Sequence, residues 1–122
     1  MIKKITFSTL LALFLTLPAL AGDADVVDVK VRRAAAGVYD FDVTIRSNDT
    51  GWSYYADQFD VLAPDGTVLG SRMLLHPHDD EQPFTRDLYG VRIPPGIPEV
   101  TIRARHKPKG FSGATLSVPL PK

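Results

Sequence analysis

The chain has 122 residues, 14 Lys+Arg against 14 Asp+Glu, no cysteine and 44% hydrophobic residues. That length accommodates one ordinary domain, and the even charge lacks the basic footprint of a nucleic-acid binder. The absence of Cys removes disulfides, thiolate metal sites, iron–sulfur clusters and a cysteine nucleophile.

Residues 1–21 place Lys3 and Lys4 ahead of an apolar run from Ile5 to Leu17, followed by Pro18 and the small-residue pattern Ala19-Leu20-Ala21. The pattern predicts a signal peptide cleaved after Ala21, because the run falls short of the roughly 18 apolar residues that a membrane span needs. No Cys follows it to carry a lipid anchor. The expected division is a leader, 1–21, and one folded domain, 22–122. With Lys3 and Lys4 gone, that domain carries 12 Lys+Arg against 14 Asp+Glu, and it is expected in the periplasm or outside the cell with no stable membrane anchor.

Beyond the leader, apolar residues recur with a period of two, which predicts strands. Val27, Val29 and Val31 mark a first strand over 26–32, and Tyr39, Phe41, Val43 and Ile45 a second over 38–46. Ser47-Asn48-Asp49-Thr50-Gly51 breaks the alternation, and a third strand runs over about 54–62 with Phe59 and Val61 inward. Pro64-Asp65-Gly66 has the composition of a tight turn and leads to a fourth strand over 67–75. The fifth, 84–93, sets Tyr89, Val91 and Ile93 out of phase with Phe84, which predicts a bulge near Gly90. Pro94–Pro98 turns the chain into a sixth strand over 99–106 with Val100, Ile102 and Ala104 inward. The seventh, 114–120, contains Pro119, which suits a sheet edge.

Seven short strands in about 100 residues predict an all-β, antiparallel, immunoglobulin-like sandwich, with a small barrel as the alternative. The stretch IPPGIPEVTIRAR resembles the proline-glycine corner and sixth strand of fibronectin type III domains, but Glu99-Val100-Thr101-Ile102 stands where that group has a tyrosine. More narrowly, GWSYYADQFDVLAPDGTVLGSRMLLHPHDDEQPFTRDLYGVRIP is similar to a family of small exported bacterial proteins of unknown function. That resemblance implies an exported β domain and no catalytic roles.

Alternating strand directions bring the connections 47–53, 76–83 and 107–113 to one end. Trp52, Tyr54, Tyr55, His76, His78, Asp79, Asp80, Glu81, His106 and Phe111 therefore collect there. Trp52, Tyr54, Tyr55 and Phe111 form a candidate surface for a protein, peptide or glycan, although a lone Trp near the third strand also suits a lid over the core. His76 and His78, one residue apart in extended chain, point the same way and are candidate ligands for Zn²⁺ or Cu²⁺, with Asp80, Glu81 or His106 completing the set. His106 shares inward parity with Asp57 on the adjacent strand, which predicts a structural pair. Arg103, Arg105, Lys107 and Lys109 read as a solvated basic face. Ser47, Ser53 and His106 are the only prospect of a nucleophile and base. No G-x-S-x-G elbow, phosphate loop or H-E-x-x-H motif is present, so the expectation is a noncatalytic binding module, with metal binding or delivery as the alternative.

Overall fold

The computed structural model describes residues 22–122; the signal-peptide expectation, 1–21, lies outside the described residues. The strands are β1 (Ala24–Ala35), β2 (Val38–Ser47), β3 (Tyr55–Leu62), β4 (Val68–Met73), β5 (Phe84–Arg92), β6 (Glu99–Lys107) and β7 (Leu116–Pro119). They form two antiparallel sheets, β1-β2-β5 and β4-β3-β6-β7. Among these residues no helix is long and apolar enough to cross a membrane.

The sheets close on one apolar layer because β-branched and aromatic residues alternate with polar ones along each strand. Phe41, Val43 and Ile45 of β2, Phe59 and Val61 of β3, and Val100, Ile102 and Ala104 of β6 are all buried. Their inward parity is the parity expected from the sequence. The turn at Pro64–Gly66 also forms as expected, with the Gly66 N–H donating to Ala63 O at 2.9 Å and the Thr67 N–H to Asp65 Oδ1 at 3.0 Å. At the opposite flank β7 pairs, among the described residues, only with β6, so Pro119 does sit on an edge strand.

Local departures from strict alternation account for the differences. In β1 the register slips between Val26 and Asp28, so Val26 enters the core with no exposed surface and Val27 takes the extra position. In β5 the register slips opposite Tyr39 and Phe41, between Leu88 and Val91, and Gly90 adopts φ 73°, a conformation that costs glycine least. The expected bulge is therefore present, but it turns Tyr89 outward. Tyr89 is 50% exposed and its hydroxyl donates to Asp42 Oδ1 at 3.1 Å.

The segment before β7 seals the side of the sandwich next to β1. Val26 N–H donates to Ala114 O at 2.9 Å, and Ala114 N–H to Asp25 Oδ1 at 2.6 Å. Backbone meets backbone here so closely that a Cβ at Gly113 would overlap the Ala24 carbonyl. The first described residues are thereby fastened beside the 107–113 loop.

Candidate functional site

The end bearing the 47–53, 76–83 and 107–113 connections is organised around one carboxylate. The Asp49 side chain has no exposed surface. Its Oδ1 accepts from Ser47 Oγ at 2.7 Å and from the Ala56 N–H at 2.9 Å, while Oδ2 accepts from the His78 N–H at 2.8 Å. One side chain thus ties the end of β2, the start of β3 and the loop before β5 together. Gln82 adds a second tie, accepting from the Ser47 N–H at 2.8 Å and donating to His78 O at 2.9 Å.

His78 is 3% exposed. Its ring stacks on Phe84 with centroids 3.8 Å apart and planes 10° apart, and Arg86 Nη2 lies 2.8 Å from its Nε2. A guanidinium can only donate, so Nε2 is the acceptor and the neutral ring carries its proton on Nδ1. That nitrogen faces Asp49 Oδ2 at 4.0 Å and makes no hydrogen bond among the described residues. Burial first, then Arg86 and His76, hold the His78 pKa below its ordinary value, against the opposing influence of Asp49 and Glu81.

His106 faces the core as its parity implies and is 1% exposed. The Tyr54 ring meets it edge-on at 4.4 Å, and neither of its nitrogens has a hydrogen-bond partner among the described residues. Burial is the main reason that its pKa is also lowered, with Lys109 acting in the same direction and Asp23, Asp49 and Asp57 against it.

The expected Asp57–His106 pair does not form. The β3–β6 register slips between Ala56 and Gln58, so Ala56 takes the inward position opposite His106 and the Asp57 side chain turns to the outer face. There Arg105 grips it in two parallel bonds, Nε to Oδ1 and Nη2 to Oδ2, each 3.0 Å. The neighbouring Arg103 Nε donates to Asp60 Oδ2 at 2.9 Å. Asp60 is 1% exposed; burial opposes its ionisation, but hydrogen bonds from Ser71, Gln58 and Arg103 hold its pKa below the usual carboxylate value. The arginines of β6 are thus half-covered partners of acids, and the lysines beyond them are exposed.

Trp52 is 65% exposed and does not cover the core. Tyr55 holds it edge to face at 5.9 Å, with Lys107 Nζ 5.9 Å from the Tyr55 ring centre. Tyr54 turns the other way, donating its hydroxyl to Asp23 Oδ1 at 3.0 Å. Phe111 is 46% exposed beneath the Arg103 guanidinium, 3.8 Å from the ring centre.

His76 and His78 are brought together, with rings 4.6 Å apart, although His76 is exposed and His78 is buried. Asp80 and Glu81 do not join them. Glu81 lies 3.9 Å from Arg86, and among the described residues no three His, Asp or Glu side chains converge as metal ligands would. The Ser47 hydroxyl is engaged with Asp49 and Gln82.

Sequence reasoning passed over Asp49, Asp23, Asp60 and Arg86. For Arg86 a signal existed: it shares the inward parity of Phe84 and Leu88, where an unpartnered arginine would be costly.

Two buried neutral histidines make stability depend on pH in a definite direction. Because both folded-state pKa values are depressed, the unfolded chain binds more protons below about pH 6.5. Stability is complete above that value and is lost as pH falls toward the folded values. Asp23 and Asp60, whose pKa values are lowered, contribute a separate loss at more acidic pH, below about 3.8. The melting temperature should therefore drop between pH 7.5 and pH 5, and replacing both histidines by glutamine should flatten that step.

No family model matches the chain, and no solved structure matches it. A Halomicrobium mukohataei protein described as "Putative lipoprotein" is 35% identical over 96 residues, which cover 79% of this chain and 47% of that protein. The chain spans about half the length of this relative. The protein is thus a small all-β, two-sheet protein with a homologue bearing a lipoprotein name.

Proposed function

We propose that the protein is an exported, noncatalytic interaction module that recognises a protein, peptide or glycan through the end carrying Trp52, Tyr55, Phe111 and the 76–81 segment. The observation that carries this reading is Trp52, 65% exposed yet braced by Tyr55. Burying such a ring elsewhere would have stabilised the domain by a few kcal/mol, whereas a fixed, exposed aromatic suits a binding surface. The strand order β1-β2-β5 against β4-β3-β6-β7 supports an immunoglobulin or fibronectin type III-like build. The leader pattern of residues 1–21 and the relative's lipoprotein name support export to the periplasm or beyond.

Replacing Trp52 and Tyr55 by alanine should weaken partner binding by about 30-fold or more, the effect of losing a hot spot. Stability should change by only about 0.5 kcal/mol for Trp52, as for other exposed positions. Unchanged affinity in folded variants, measured against exported proteins, peptides and glycans, would remove the reading. A second reading, a Zn²⁺ or Cu²⁺ site, rests on the 4.6 Å approach of His76 to His78. It requires Arg86 to leave Nε2, so saturable Zn²⁺ binding tighter than about 10 µM, about −7 kcal/mol, should strengthen in Arg86→Ala and vanish in His76→Ala.

A further inference from the structure

Trp52 and Phe111 project from neighbouring connections, and neither is loose, since Tyr55 braces one and Arg103 the other. Lys107 and Lys109 flank them, both exposed, and neither has a carboxylate within 4.0 Å among the described residues. The exposed acids Asp79, Asp80 and Glu81 belong to the connection between β4 and β5, in which Glu81 approaches Arg86. The end therefore has an aromatic, lysine-bearing side near β6, which also holds the Asp23 carboxylate, and a side near β5 where the exposed acids collect.

The described chain enters the fold on the lysine-bearing side. Asp23 accepts from Asn48 Nδ2 at 3.0 Å, Tyr54 Oη at 3.0 Å and Ser112 Oγ at 3.3 Å, and Ser112 directly follows Phe111. A cavity of about 210 Å³, lined by Tyr39, Ile97 and Leu120 among others, lies at the opposite end. The aromatic end thus offers projecting tips beside free cations.

We infer that this side, through Trp52, Phe111, Lys107 and Lys109, seats the domain on an anionic lipid surface. The inference rests on the reading of this end as the contact surface and goes beyond it, adding a lipid surface to the protein, peptide or glycan partner proposed there. Tryptophan and other aromatic rings favour the headgroup region of a bilayer, and each lysine beside them gains from anionic headgroups within a Debye length. A fluid surface accepts separate projecting tips, whereas a folded partner must supply a matching pocket for each.

Trp52 is the chain's only tryptophan, so its emission reports the contact without a label. The expected result, for the protein as exported, is a blue shift and co-sedimentation with phosphatidylcholine–phosphatidylglycerol vesicles. Pure phosphatidylcholine should give much weaker binding, and added salt should weaken the anionic case. Lys107→Ala with Lys109→Ala should cost about 30-fold in lipid affinity, and Phe111→Ser should reduce co-sedimentation with the fold intact by circular dichroism. An unshifted Trp52 emission without sedimentation on anionic vesicles overturns the inference, as does equal binding to neutral vesicles or by the double lysine variant. Failure of the module reading is separate, because a soluble protein, peptide or glycan would perturb Trp52 and respond to Tyr55→Ala with no lipid present.

Discussion

Replacing Asp49 by alanine should lower the stability of the domain by about 2–6 kcal/mol, because the Ala56 and His78 N–H groups it satisfies are buried and each abandoned donor costs about 1–3 kcal/mol. Asp49→Asn keeps one acceptor oxygen and should lose about half as much. The distinguishing measurement is amide hydrogen exchange. In Asp49→Ala the Ala56 and His78 amides should lose protection before the β2 and β6 amides, since the carboxylate ties the end of β2 and the start of β3 to the loop before β5 and does not contribute to the apolar layer. A variant whose exchange accelerates uniformly would assign Asp49 a merely global role.

Phe84→Ala should cost about 3–5 kcal/mol, the range for truncating a buried aromatic ring. That is a large share of the roughly 5–15 kcal/mol typical of a domain, and chemical denaturation would read it as a lower midpoint. Phe84 is 2% exposed and also supports the His78 ring and the Arg86 guanidinium, 5.7 Å from its centre. Its loss admits water to His78, so the acid-side fall in stability should become shallower along with the lower baseline. A Phe84→Leu variant, which keeps most of the apolar volume, should lose less stability. If the pH dependence were unchanged in Phe84→Ala, burial by this ring would not be what depresses the His78 pKa.

Much of the architecture was legible because apolar alternation in β2, β3 and β6 is nearly unbroken. Three residues show where alternation stops being a guide. Val27, Asp57 and Tyr89 each sit at a slip in register, and a one-residue slip exchanges inside for outside. Gly90 betrayed one slip; nothing in Val26-Val27-Asp28 or Ala56-Asp57-Gln58 betrayed the others. The end where the unusual side chains gather was legible from strand direction alone. What organises it was not, because Asp49 lies in a polar stretch where each of Ser47, Asn48, Asp49 and Thr50 has a side chain able to accept a backbone hydrogen bond, and only the arrival of His78, distant in sequence, selects among them. The exposure of Trp52 was equally beyond reach, since a tryptophan at that position suits a lid as well as a platform.

The same slips in register also govern how the protein behaves when concentrated. Each outer strand presents unpaired N–H and C=O groups to solvent, a template on which another chain could add a strand. Here every such template is interrupted. β1 is bent twice, after Val26 and after Arg33; β5 is broken at Gly90; β4 has six residues, and β7 has four, one of them Pro119. Among the described residues no rim offers a long flat ladder, so a protein without disulfide staples is guarded against fibrillar stacking by its irregularities.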